Sequence, residues 1–511
     1  MSELTIDLSS PGMTSLHRVG LAGLWMTLKA LESDPVAVAR LQKAGGTWKR
    51  TRRSVTLQWE KKAFFDALFK ESFRIDKNGL IWFPALGQPI DNKQAAVVLQ
   101  NAVLGTFLQH GKTRKADPSN KPTGSFAPEI DGVGYPLNFR KVAGYAHQGA
   151  MIPLDGSSLS LAGWQYPGGV VRHTGHGQNS TALEEPAERL LSLLYAPVGG
   201  IYFEMQHRGE GVRPQFALVI PDVADLEVYA RARAVFLKHG VKELKAAGTA
   251  EAGLRVLAVL EAEKLLGRDG LGSNTCRVIS FGTVPWSTQQ KTRVQIFTVQ
   301  VGSKEVLRAY QVCRQQPDLV PHLAKSKDGK PVLSKDGRPI WATPQVPELV
   351  ARNLIGGRPW WQGFADYVAD RDRRDHIFKY ERRGLGNMVD SNEAFPQGPA
   401  KTFVRACQQA LRNHMGRRFA RRQSADWDTE FQKVRVSFAR CKSPEALRET
   451  IADFWARGGP LDVLKDGWGE VMPFLGERWR EGRDLALLAL ASYKGQQKDS
   501  SESDETGESG T

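Results

Sequence analysis

The stretch PGMTSLHRVGLAGLWMTL, residues 11–28, decides how the N-terminal part of the chain is read. Pro11-Gly12 punctuates the chain, Thr14 or Ser15 can cap, and a helical run follows. Inside that run stand Gly20 and Gly23. Each mid-helix glycine costs about 0.8–1 kcal/mol relative to alanine. On a helical wheel Gly20, Gly23 and Thr27 make a stripe of small residues, over which another backbone can approach closely. Two readings of the stripe stand open: packing against a helix of the same domain, or contact with a partner subunit or RNA. His17 and Arg18, one turn before the stripe, are candidate nucleic-acid contacts.

Outward from this helix, residues 13–110 read as mixed, with helical runs around 14–32, 60–70 and 94–109. The polar, Gly/Pro-rich section 111–136 reads as a long loop, a kind of segment that is usually functional or disordered. Residues 137–181 are also Gly-rich. Helices and strands alternate from 183 to 300. PAERLLSLL and LEVYARARAVFLKHG are helical, and GGIYFEM, QFALVIP, CRVISFG and TRVQIFTVQV are strand-like. The short repeat SKDGKPVL, SKDGRPI at 326–340 offers two Asp-Gly turns and reads as an exposed hairpin. Beyond about 350 no strand is evident. In SPEALRETIADFWARGG (443–459), Ser443 caps, Pro444 suits the first turn, and Leu447, Ile451, Phe454 and Trp455 share a face.

The fold class expected is therefore α+β: a mixed α/β N-terminal and central region followed by an all-helical C-terminal bundle. The expected domains are 1–181 (basic, mixed, with Gly-rich loops), 182–350 (central α/β with the exposed hairpin), 351–493 (helical bundle) and 494–511. That acidic tail lacks Phe, Leu, Ile and Val and reads as disordered.

Composition narrows the function. Lys and Arg number 70 against 55 Asp and Glu, a net charge of +15, which points to a polyanionic partner and foremost to nucleic acid. No apolar run is long enough for a membrane span, and MSELTIDLSS lacks the features of a secretion signal. The four cysteines, Cys276, Cys313, Cys407 and Cys441, form no CxxC and no disulfide framework, as expected of a reducing cytoplasm.

Catalytic and metal motifs do not emerge. GTFLQHGKT (105–113) has five residues between its glycines where a P-loop has four, and a helical segment precedes it. His173 and His176 in VRHTGHGQNST have no further ligands at a recognisable spacing. The same loop offers Gln178 and Asn179, which with the histidines suit base edges. No cofactor, no metal and no enzymatic activity is expected.

Three basic clusters remain. RLQKAGGTWKRTRRSVTLQW (40–59) carries Lys49, Arg50, Arg52 and Arg53 with no acid before Glu60. Such a cluster suits phosphates, and its tryptophans read as core. Lys112, Arg114 and Lys115 decorate the long loop. AFPQGPAKTFVRACQQALRNHMGRRFARR (394–422) contains no acid at all. At 100° per residue Lys401, Arg405 and Arg412 fall within about 40° of one another, opposite an apolar face. Gly416 is expected to break the register before Arg417, Arg418, Arg421 and Arg422. This strip reads as a nucleic-acid track.

PGMTSLHRVGLAGLWMTL, together with AGWQYPGGVVRHTGHGQNSTALEEPAERLLSLLYAPVGGIYF (162–203), resembles the large subunit of type I CRISPR Cascade complexes, in its myxobacterial-type branch. The resemblance implies a non-catalytic subunit at the 5′ end of a guide RNA. It implies contact with the short motif flanking the target in duplex DNA, and a hold on the displaced strand. The partners implied are the guide RNA, double-stranded target DNA, the Cascade backbone and handle-binding subunits, and a downstream nuclease-helicase or transposition module. Guide pairing then reads sequence while protein reads the flank. On this footing the glycine stripe faces the handle-binding neighbour or the RNA handle. The 40–53 cluster meets duplex or handle phosphates, His173, His176, Gln178 and Asn179 read the flank, and the 394–422 strip guides the displaced strand. The alternatives are a stand-alone nucleic-acid-processing enzyme with an unrecognised site, and a general RNA-binding protein.

Overall fold

The computed structural model describes residues 1–108, 114–118, 123–145, 152, 154–161, 184–205, 215–267, 270–286, 289–326, 328–334, 337–420 and 427–494. The chain forms two compact units. One comprises Met1–Leu307 with Pro321–Thr343, the other Arg308–Val320 with Pro344–Thr511. The class is α+β, as expected: the first unit mixes helices and strands, and the second contains no strand among its described residues.

In the first unit the opening helix spans Ser15–Glu32. Thr14 and His17 form a reciprocal capping box: the Thr14 hydroxyl accepts from the His17 N–H, and the Thr14 N–H donates to His17 Nδ1 at 3.2 Å. The glycine stripe faces inward. A Cβ on Gly20 would lie 1.9 Å from the Ser192 carbonyl oxygen, and one on Gly23 2.3 Å from that of Tyr195. The helices Ala187–Leu194 and Ala196–Gly199 therefore lie directly on the stripe. The open alternatives resolve to intradomain packing. The expectation of a partner or RNA against the stripe fails, because the surface is already filled.

Against this helix stands a three-stranded antiparallel sheet in the order Ser2–Asp7, Ser54–Trp59, Gly46–Arg50. Val55, Leu57 and Trp59 alternate inward, the period of a strand with one wet face. A helix not foreseen from sequence, Pro35–Lys43, precedes the hairpin, with Asp34 as its cap and Pro35 in its first turn. The central sheet has five strands in the order Lys245–Ala246, Ile201–Met205, Gln215–Pro221, Thr275–Trp286, Gln289–Gln300. The first pairing is parallel and the rest antiparallel.

The section 111–136 is not simply a long loop. Arg114–Ala116 pairs with Val142–Tyr145, and Thr123–Phe126 with Leu137–Arg140. Ile130 and Val133 pair across Asp131-Gly132, both at positive φ. Asp-Gly is the dipeptide such a turn favours, so the signal was present and was outweighed by the polar composition around it. The 326–340 repeat closes further than a hairpin. Val332 donates to Ala324, Ile340 to Val332, and Ala324 back to Ile340, at 2.8–2.9 Å.

The second unit is organised around the Pro399–Ala420 helix, whose Phe403, Ala406, Cys407, Ala410 and Leu411 are fully buried. Pro444–Gly458 crosses it closely, with the Gly458 Cβ position 2.7 Å from the Ala410 Cα. Leu447, Ile451, Phe454 and Trp455 are buried as the sequence indicated, and the Ser443 hydroxyl caps by accepting from the Ala446 N–H at 3.2 Å.

Candidate nucleic-acid interface

The basic residues sort by whether the fold gives them an internal partner. His17 is buried, with Nδ1 2.7 Å from the Thr14 hydroxyl and Nε2 3.3 Å from Glu185. Burial holds its pKa below the ordinary value, against the raising influence of Glu185. It caps a helix, and it has no surface to offer a phosphate, contrary to the expectation. Arg18 is half-exposed and stands 3.6 Å from Asp222.

In the 46–59 hairpin, Arg50 is clamped by Glu32, with Nε–H donating to Oε1 at 2.9 Å, and its guanidinium lies 4.4 Å from the Trp25 ring centre. Trp48 Nε1 donates to the same carboxylate at 2.8 Å. Arg52 donates to Asp225 at 2.6 Å and lies 4.0 Å from Glu227. Lys49 and Arg53 are exposed, with no carboxylate in salt-bridge reach among the described residues. Arg53 still acts on Asp7: burial raises that carboxyl's pKa, and hydrogen bonds from Ser9 with the Arg53 charge more than offset it. Trp59 is buried edge-on to Phe65 at 5.0 Å, whereas Trp48 is half-buried and tied to Glu32.

Arg114 and Lys115 lie on a strand paired with Val142–Tyr145. Lys115 is exposed, while Arg114 is half-buried and donates to the Leu108 carbonyl. Burial and the neighbouring Arg140 charge lower the Arg114 pKa. Arg140 is exposed at the end of a strand that pairs with Thr123–Phe126, and its nearness to Arg114 is invisible along the chain. A second such pair was missed in the helical unit: burial and the Arg374 charge lower the pKa of Arg435, with Asp375 opposing. Like charges held side by side favour an anion between them.

The Pro399–Ala420 helix also departs from expectation. Lys401 is only 3% exposed. Its ammonium donates to the Asp390 and Phe395 carbonyls and to Asn392 Oδ1, at 3.2, 3.0 and 2.9 Å. It is a structural tie and no phosphate contact, because the chain before the helix wraps over it. Arg405 donates to Asp390 at 2.5 Å. Arg412 and Arg417 remain exposed, Arg417 with one bond to the Arg457 carbonyl at 3.3 Å. Gly416 does not interrupt the helix, which runs through Ala420. One glycine's propensity cost is small beside the burial of the face that Met415 continues. Arg418 lies on this helix, its side chain outside the description. Lys112, His173, His176, Gln178, Asn179, Arg421 and Arg422 lie outside the described residues.

Of the candidates among the described residues, Lys49, Arg53, Lys115, Arg412 and Arg417 stay exposed without a carboxylate in salt-bridge reach, and Arg140, near Arg114, joins them. These exposed cations stand on an α+β chain with a helical C-terminal unit. Residues 5–194 match the DevT N-terminal domain, and residues 393–510 match the DevT C-terminal domain. The N-terminal match thus ends with the helix that lies on the glycine stripe. Over 99% of this chain and 91% of the relative, the sequence is 29% identical to the CRISPR-associated protein Cas8a1/Csx13 of Myxococcus xanthus (strain DK1622). The chain belongs to the myxobacterial-type branch of the type I CRISPR large subunits.

Proposed function

We propose that this large subunit is a non-catalytic part of a type I Cascade complex that binds the 5′ handle of the guide RNA. It recognises the target-flanking motif in duplex DNA and stabilises the displaced strand while the R-loop forms. The full-length relation to Cas8a1/Csx13 carries this reading. The exposed, unpaired basic residues support it, since phosphate contacts give affinity and register without sequence information. Lys49 and Arg53 act on handle or duplex phosphates, Lys115 with Arg140 on the same strands, and Arg412 with Arg417 on the displaced strand. His173, His176, Gln178 and Asn179 act on the flank.

The test is the RNA that accompanies the protein. The tagged chain, expressed with its genomic neighbours, is expected to bring down one RNA of uniform length with repeat-derived ends, together with partner proteins. A smear of cellular RNA would replace this reading with a general RNA binder. DNA cleavage by the isolated chain would replace it with an enzyme.

A further inference from the structure

The first unit holds a cavity of about 530 Å³ between the Lys93–Gly105 helix, the Ile81–Pro89 segment and the Leu226–Val235 helix with the turn that follows it. That volume falls in the range of small-molecule sites. Phe83, Tyr202 and Phe236 give it a buried aromatic wall. Arg233 lines the same space at 5% exposure.

Among the described residues Arg233 has no counter-ion, and its Nε has no hydrogen-bond partner. The acid among the lining residues, Asp91, instead accepts from the Gln88 N–H at 2.9 Å. The two tyrosine hydroxyls beside Arg233 are committed elsewhere: Tyr202 donates to the Pro197 carbonyl at 3.1 Å and Tyr229 to that of Gly199 at 2.8 Å. Burial lowers the Arg233 pKa. An isolated buried charge costs several kcal/mol, and a ligand that accepts hydrogen bonds from it relieves that cost.

The lip of the cavity is exposed at Gln88, Asp91 and Lys238. The interior is too apolar for a lone hydrated phosphate and too wide for a water alone. A flat ring with acceptors on one edge fits the aromatic wall and the guanidinium fork, and a phosphate outside fits the Lys238 ammonium. Of the bases, guanine presents two acceptors, O6 and N7, to a bidentate arginine, whereas adenine sets a donor beside N7.

We propose that this cavity takes an unpaired guanine base extruded from a nucleic-acid strand, with Arg233 on its acceptor edge, Phe83 and Phe236 against its ring, and Lys238 on its phosphate. The proposal rests on the nucleic-acid reading above. The strand is either the guide RNA or the displaced DNA, which share this chemistry.

The test uses the assembled complex. In one arm the guide RNA carries 6-thioguanosine at single positions, and in the other the displaced strand carries 6-thiodeoxyguanosine. After near-ultraviolet irradiation, cross-linked peptides are mapped. The expected result is a cross-link from one position, in one arm, to a peptide containing Phe83, Tyr202 or Phe236. Arg233→Met should cut its yield at least tenfold, and Arg233→Lys less. Its melting temperature should equal or exceed that of the parent, since the substitution removes a lone buried charge. A complex that keeps its guide and opens its target but gives no such cross-link in either arm overturns the pocket alone. A melting temperature several degrees lower for Arg233→Met also overturns it, by making the guanidinium a fold element. A preparation without guide RNA overturns the functional reading, and the pocket falls with it.

Discussion

The 46–59 hairpin and the Pro399–Ala420 helix look alike in sequence, since each sets several basic residues in a run without acids. In the hairpin, Arg50 folds back onto Glu32 and Trp25 and Arg52 reaches Asp225, leaving Lys49 and Arg53 outward. In the helix, Lys401 is buried under three acceptors and Arg405 meets Asp390, leaving Arg412 and Arg417 outward. The partners lie 18 and 173 residues from the hairpin arginines and 15 from Arg405. Freedom from local acids therefore says little about freedom from acids in the fold. A basic run supplies two populations: cations that hold elements together and cations that face solvent. Only the second can release counterions from a nucleic acid.

The largest expected effect separates these populations at Lys401. Lys401→Met removes three hydrogen bonds from a charged donor and takes that donor from the Phe395 carbonyl in a buried contact. It should destabilise the helical unit by about 3 kcal/mol in denaturant unfolding. Below the unfolding transition its nucleic-acid affinity should match the parent. Lowered affinity with unchanged stability would return Lys401 to the interface and break the comparison.

Arg50→Met is the hairpin counterpart and a smaller effect. The pair with Glu32 is half-exposed, so its ionic part is screened, and the stacking on Trp25 adds to it. Together these make the expected loss about 1–2 kcal/mol. A loss near zero would mean that Arg50 swings free of Glu32, and the hairpin would then offer three cations.

Much of the fold was legible because it rests on periodicity and capping. Leu447, Ile451, Phe454 and Trp455 repeat at helical spacing behind Ser443, and Val55, Leu57 and Trp59 alternate as a strand must. The glycines at 20 and 23 announced a close approach, but only the structure shows that the Ser192 and Tyr195 carbonyls fill it. The short strands between 114 and 145 were hidden because residues so few and so polar carry no periodic signal. The candidate interface was less legible than the fold. Charge compensation depends on elements distant in the chain, as with Asp225 for Arg52, and like-charge pairs such as Arg114 with Arg140 arise only from the tertiary fold. Burial misled in the same way at His17, whose wheel position does not reveal that Glu185 lies over it.

The smallest effect on the fold is expected where the two regions should behave alike. Lys49→Ser with Arg53→Ser, and separately Arg412→Ser with Arg417→Ser, remove exposed cations without buried partners. Each pair should leave stability within about 0.5 kcal/mol of the parent. Binding should weaken regardless of sequence, because phosphates are common to all targets. If both cations of a pair contact duplex phosphates, the slope of log affinity against log salt should flatten by about 2, and by somewhat less on a single strand. The substrate separates the regions: the hairpin pair should matter on handle RNA or flanking duplex, and the helix pair on a complex with its displaced strand exposed. Equal losses on every substrate would show a single nonspecific field, and the division of labour between hairpin and helix would not hold.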